Sequence, residues 1–143
     1  MSGNVLKMTV LSKSANEGFV RVAVAAFVAQ LDPNVEEIGD IKTAVSEAVT
    51  NCIVHAYKNE NGNIYISVLL KEDKTVVIKI RDKGCGIADV PQAMTPTFTT
   101  GGEERSGLGF SVMECFTDKV KVTSKPNKGT VVTLTKRLSK HNG

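Results

Sequence analysis

Three short stretches carry residue types that could do chemistry, and they come in a fixed order. Glu47-Ala-Val-Thr-Asn51 lies in a helical pattern, Asp82-Lys-Gly84-Cys-Gly86 closes a strand, and Ser106-Gly107-Leu108-Gly109-Phe110 starts another helix. Four residues apart, Glu47 and Asn51 share a helix face, with His55 one turn further on. An amide oxygen such as that of Asn51 suits a Mg²⁺ ion held chiefly by phosphates and water. A carboxylate one turn away can take the proton of a hydroxyl or orient an attacking group. Asp82, fixed where a strand turns, can accept a hydrogen bond from an exocyclic amine such as that of adenine. Gly84 and Gly86 let the backbone approach a flat ring and take up positive φ. Gly107-Leu-Gly109 leaves free amides at a helix N-terminus, where the dipole favours phosphate, and Arg105 just before them adds charge for a terminal phosphate. Together these are the parts that hold a nucleoside triphosphate for phosphoryl transfer.

Taken singly, each stretch has a plainer reading. Glu-x-x-x-Asn also fits a solvated polar stripe, Asp-x-Gly an ordinary turn after a strand, and the last glycines a loop end beside an exposed arginine. His55 has no second ligand at metal spacing, and Cys85 reads as a small filler within its turn. The dinucleotide fingerprint, the Walker lysine motif and the His-Arg-Asp catalytic loop are all missing from the sequence.

The elements that must position these residues are legible in outline. Val5 to Ser12 alternates as a strand with Leu6, Met8 and Val10 on one face. Ser14-Ala-Asn-Glu17 reads as a capping box opening a helix to about Leu31. Asp32 as N-cap and Pro33 as first residue start a second helix, which reaches about Tyr57 with a bend near Gly39. Ile64–Leu70 and Val76–Ile80 form a hairpin. From Ile87 to Arg105 periodicity is lost, as in a functional loop or a disordered segment. A helix from about Ser106 to Phe116 precedes a last hairpin around Pro126-Asn-Lys-Gly129. The expected fold is an α+β sandwich, one domain over residues 1–143, with helices on one face of a mostly antiparallel sheet.

Composition excludes several function classes. The 143 residues are 41% apolar and 23% charged, as in ordinary globular proteins. No apolar run reaches the roughly 20 residues of a membrane span, and no signal peptide opens the sequence. Three widely spaced cysteines suit reduced thiols, so a cytoplasmic protein is expected, without a membrane partner. A net charge of +3, scattered lysines and 5% aromatics give no sign of direct nucleic-acid binding. The first helix is apolar on two sides. Val20, Val24, Phe27, Val28 and Leu31 make one stripe, and Phe19, Val22, Ala23 and Ala26 another, where one is the usual number. Either the helix is wedged deeply in the domain or it also meets another chain, with Glu17 and Arg21 on its exposed edge.

The three stretches, in this order with a long loop before the third, resemble the GHKL superfamily (gyrase, Hsp90, histidine kinase, MutL) and its Bergerat ATP-binding fold. Ser46-Glu-Ala-Val-Thr-Asn51, Val24-Ala-Ala-Phe-Val-Ala-Gln-Leu-Asp32-Pro33, Phe98-Thr-Thr100 and Glu104-Arg-Ser-Gly107 look closer still to one branch, the anti-sigma-F factors of endospore-forming bacteria. Members of that branch are serine protein kinases. The resemblance implies ATP/ADP as nucleotide, Mg²⁺ on Asn51, Asp82 reading the adenine amine, and Gly84, Gly86 and Thr130 at the base. It further implies that Ser106, Gly107, Leu108, Gly109 and Phe110 hold phosphates with the lid residues Thr99 and Thr100. Glu47 would then be the base that activates a serine of an anti-anti-sigma factor, with Arg105 beside it. The ATP-bound homodimer would hold a sigma-F factor, with Glu17 and Arg21 in the partner contact. A stress-response anti-sigma kinase shares these boxes, and an ATP-gated binding module without transfer is a further alternative.

Overall fold

The structure is a computed structural model that describes residues 3–94 and 104–139, with the backbone alone for 104–108. Thr99 and Thr100 lie outside the described residues. In chain order the elements are β1 (Asn4–Leu11), α1 (Ser14–Val28), α2 (Val35–Asn51), β2 (Asn63–Leu70), β3 (Thr75–Asp82), α3 (Val90–Ala93), α4 (Glu104–Phe116), β4 (Lys119–Lys125) and β5 (Gly129–Arg137). The strands form one antiparallel sheet in the order β1-β2-β3-β5-β4. This is the expected α+β sandwich of antiparallel sheet and covering helices.

Alternation explains the sheet. Along β2, Ile64, Ile66, Val68 and Leu70 are buried, and along β3 Val76, Ile78 and Ile80 are buried, while their neighbours face outward. Helical spacing supplies the other half of the core. Val20, Val24 and Val28 of α1 and Ile41, Val45, Ala48 and Val49 of α2 pack into the same cluster, with Met113 of α4.

Several boundaries differ from the sequence expectation. Ser14 is the first residue of α1, whose N-cap Lys13 makes no side-chain cap. Glu17 does not close a capping box. It accepts a hydrogen bond from Ser46 Oγ at 2.6 Å and pairs with Arg21 at 3.4 Å, so a tertiary partner displaces the local one. Asp32 adopts φ 55° and ends a short 3₁₀ turn after α1. The residue before a proline is disfavoured in the right-handed helical region, and aspartate tolerates the left-handed one. Asn34 is therefore the cap of α2, in a reciprocal capping box with Glu37. Gly39 sits inside α2 without interrupting it. Beyond Asn51 the helix widens into a π-helical turn, Cys52–Ala56, which carries it to the expected end at Tyr57. Such widened turns often mark functional positions. The inner stripe of α1 is buried at Val20, Val24 and Val28 and half-buried at Phe27 and Leu31, but Phe19 and Val22 are each 58% exposed, so the outer stripe is largely uncovered among the described residues.

At the end of β3 three backbones meet. A Cβ on Gly84 would strike the carbonyl of Ala56, one on Gly86 the carbonyl of Lys125, and one on Gly129 the carbonyl of Asp82. Gly86 and Gly129 also hold φ of 75° and 104°, where a side chain is strained. Gly129→Ala should therefore lower stability by at least about 2 kcal/mol, strain and clash acting together. A urea midpoint unchanged from the parent would contradict this packing.

Candidate nucleotide site

The last turns of α2 are the place where the three stretches come together. Glu47 and Asn51 face α4. A Cβ on Gly109 would lie 3.2 Å from both polar atoms of the Asn51 amide and 3.5 Å from Glu47 Oε2. Only a glycine leaves α4 this close to the pair without pushing them aside. The Asn51 amide nitrogen is buried and has no hydrogen-bond partner among the described residues. A buried polar end left unpaired costs free energy, so it calls for a partner.

The residue after Asn51 reaches the second stretch. Cys52 is buried, and its Sγ donates to Asp82 Oδ2 at 3.6 Å. Asp82, the last residue of β3, is 5% exposed, and its Oδ1 accepts the Gly84 amide at 2.9 Å. Burial pushes the Asp82 carboxyl above the usual range. The Gly84 amide, the Cys52 thiol and the Thr130 amide pull it back in part. Burial, the Asp82 charge and its hydrogen bond in turn raise the Cys52 thiol well above its ordinary value, which makes it an inert donor rather than a nucleophile. Thr130 stands opposite Asp82 in the β3–β5 register, its hydroxyl 2.8 Å from Ser124 Oγ. The turn after Asp82 is pinned on both sides, Cys85 N–H donating to the Ala56 carbonyl and Asn127 N–H to the Cys85 carbonyl.

In the third stretch α4 is described from Glu104 onward, with Arg105 and Ser106 in its backbone-only part. Gly109 permits the close approach of α4 to Asn51 and Glu47, and the Phe110 ring is buried in the core. His55 belongs to the π-helical turn, and no cluster of metal-ligating side chains occurs among the described residues.

Comparison with known proteins places the chain in a family. The chain matches the Histidine kinase-like ATPase domain family over residues 12–136. An anti-sigma F factor of Caldanaerobacter subterraneus subsp. tengcongensis is 54% identical over 139 residues, covering 96% of each chain. Another, from Bacillus licheniformis, is 53% identical over 139 residues, covering 96% of this chain and 94% of the relative. The chain belongs to the anti-sigma F factor family. Among solved structures, the RsbU and RsbW domains of a Mycobacterium tuberculosis protein align with a TM-score of 0.71 at 23% identity. That alignment covers 96% of this chain, which spans 33% of that structure. The histidine kinase domain of a blue-light activated kinase from Erythrobacter litoralis aligns with a TM-score of 0.55 at 19% identity, over 85% of this chain and 61% of that one. At these identities the likeness is one of fold. Membership gives the protein an ATP-binding GHKL domain and places it with the sporulation anti-sigma kinases.

Three residues at the site lacked a signal in the sequence. Tyr57 OH accepts the Lys83 amide and donates to the Asn63 carbonyl, both at 2.6 Å, and so locks the end of α2 to the turn after β3. Ser124 Oγ accepts the Ile87 amide at 2.7 Å and anchors the start of the loop. Cys52 shows its role only once β3 is placed against α2.

A buried carboxyl with a raised pKa disfavours the folded state once it ionises. Its cost is absent below the ordinary carboxylate pKa and complete above the folded one. Asp82→Asn, which keeps an acceptor for the Gly84 amide, should therefore melt higher than the parent at pH 7, the gap closing as pH falls through the carboxylate range. The same variant should lose about 10- to 100-fold in ATP affinity, the worth of a hydrogen bond to a charged acceptor. Calorimetry showing unchanged affinity would remove Asp82 as the adenine reader.

Proposed function

We propose that this chain is an ATP-dependent serine kinase of an anti-anti-sigma factor and an ATP-dependent holder of a sigma-F factor. The observation that carries the reading is the convergence of Glu47, Asn51 and Gly109 at one end of α2, with Cys52 bonded to Asp82 beside them. In this reading Asp82 accepts the adenine amine, with Gly84, Gly86 and Thr130 around the base. Ser106, Gly107, Leu108, Gly109 and Phe110, in the N-terminal part of α4, hold the phosphates, and Arg105 adds positive charge. By the family resemblance, Thr99 and Thr100 belong with them.

Asn51 would hold Mg²⁺ through its amide oxygen, a hard ligand, while its buried amide nitrogen, without a hydrogen-bond partner among the described residues, would donate to a phosphate oxygen. When bound, the ion would neutralise charge on the phosphate oxygens. Glu47, on the same face one turn away, takes the proton of the attacking serine hydroxyl. The new bond joins the serine oxygen to the terminal phosphorus, the bond from that phosphorus to the bridging oxygen breaks, and ADP leaves. Such transfer needs mainly positioning and charge, which is why so few residues carry it.

The exposed outer stripe of α1, with Phe19 and Val22 beside Arg21, supports a role for this helix in contacts with other chains. Homodimer formation and the hold on the sigma factor are assigned to this region. Glu17 is tied to Ser46 and Arg21, so it orients the arginine as well as edging the contact.

Glu47→Gln should bind ATP as the parent does while serine phosphorylation falls by about 10²- to 10⁴-fold, the contribution of a positioned base. Transfer at the parental rate would remove Glu47 from that role. Arg21→Ala should weaken capture of both the sigma factor and the anti-anti-sigma factor in pull-downs with ATP. Equal capture of both would take Arg21 out of the contact.

A further inference from the structure

The face of the sheet turned away from the helices has a charge pattern that the linear sequence hides. Its strands hold a single acidic residue, Asp82, and that one points toward the helices. The cations that look scattered along the chain are brought into line by the pairing register. Lys7 pairs with Ser67, Ser67 with Lys79, Lys79 with Thr133, and Thr133 with Lys121. One straight row thus crosses the whole sheet, with a lysine on every second strand and a hydroxyl between. All three lysines are exposed, and none pairs with a carboxylate among the described residues. In the next row Arg81 stands opposite Tyr65. A groove of about 520 Å³ runs between these rows and is lined by Lys7, Tyr65, Ser67, Lys79 and Arg81.

We infer that this outer face docks an acidic helix of a protein partner, laid across the strands with its carboxylates on the lysine row. Strands lie about 4.8 Å apart, so alternate strands set the lysines about 10 Å apart. Residues seven apart on a helix, two turns along one face, are separated by about 10.5 Å. A helix with a glutamate at every seventh position therefore meets Lys7, Lys79 and Lys121 in register. The hydroxyls of Ser67 and Thr133 stand ready between them as donors. Single-stranded nucleic acid fits less well. Tyr65 is the one aromatic on this face among the described residues, and the Arg81 guanidinium and the Lys83 ammonium lie 5.2 and 5.1 Å from its ring centre. A base would have to displace a cation to stack there. The face lies on the opposite side of the sheet from Glu47, Asn51 and α1, so its partner binds without competing for the nucleotide.

The test is a titration of the isotope-labelled full chain at low salt with a three-heptad helical peptide bearing a glutamate at every seventh residue. Parallel titrations use a peptide of the same composition with its glutamates gathered at one end, a short DNA duplex, and phosphatidylserine vesicles. The expected result is a set of amide shifts along Lys7, Ser67, Lys79, Thr133 and Lys121, with the spaced peptide binding more tightly than the gathered one. Replacing Lys7, Lys79 and Lys121 together by glutamine should weaken that binding about tenfold, as three exposed ion pairs would, with ADP affinity unchanged. The inference is overturned if the gathered peptide binds equally, if the shifts fall elsewhere, or if the triple variant binds as the parent does. It is also overturned if DNA or vesicles occupy the row more tightly than the spaced peptide.

Discussion

Everything at the site depends on how closely backbones pack where β3 ends. The turn after Asp82 is held between the carbonyl of Ala56, at the end of the widened helix, and the β4–β5 turn at Lys125 and Gly129. No side chain fits in either gap. Glycines at 84, 86 and 129 remove the Cβ atoms that would force the layers apart, and two of them also supply the positive φ that the turns require. The result is a carboxylate buried at a sheet end, aimed by two backbone amides and a thiol, with little freedom to move. If Asp82 reads a flat ring by one hydrogen bond, as proposed, this rigidity helps, because orientation does not have to be restored on binding.

The same constraint joins the Asn51 end of the site to the Asp82 end. Asn51 and Cys52 are consecutive, and they serve different motifs. One faces α4 across Gly109, and the other donates to Asp82. Any displacement of the last turn of α2 moves both. The widened turn at Cys52–Ala56 is what lets the helix meet the sheet edge at Ala56 and still end on Tyr57, whose hydroxyl fastens the start of the turn. Burial of Asp82 carries a stability cost at neutral pH, as functional sites commonly do. The compensation lies in the apolar core behind it, where strands and helices interlock over nearly the whole sheet.

The element order, the sheet and the core were legible because alternation in Ile64–Leu70 and Val76–Ile80, and helical spacing in Ile41–Val49, follow from burial alone. Glu47, Asn51 and Asp82 could be singled out by type and by the order of their stretches, and the structure brings them together at the end of α2. Boundaries decided by tertiary partners were not. Glu17 left its local cap for Ser46, and the cap of α2 moved to Asn34 once Pro33 had turned Asp32 left-handed. The close approach of Gly109 to Asn51 and Glu47 likewise shows only once α4 is placed against α2. Register is the other hidden quantity. Nothing in the spacing of Lys7, Lys79 and Lys121 along the chain suggests one row, since strand pairing alone decides it.

If the end of α2 organises one nucleotide site from three separate stretches, a crystal structure of the chain with Mg²⁺ and a non-hydrolysable ATP analogue should show the adenine amine on Asp82 and the metal on the Asn51 oxygen. The phosphates should lie at the N-terminal part of α4, with Glu47 facing the terminal phosphate. A nucleotide bound elsewhere, or one held with Asp82 and Asn51 both untouched, would contradict that organisation.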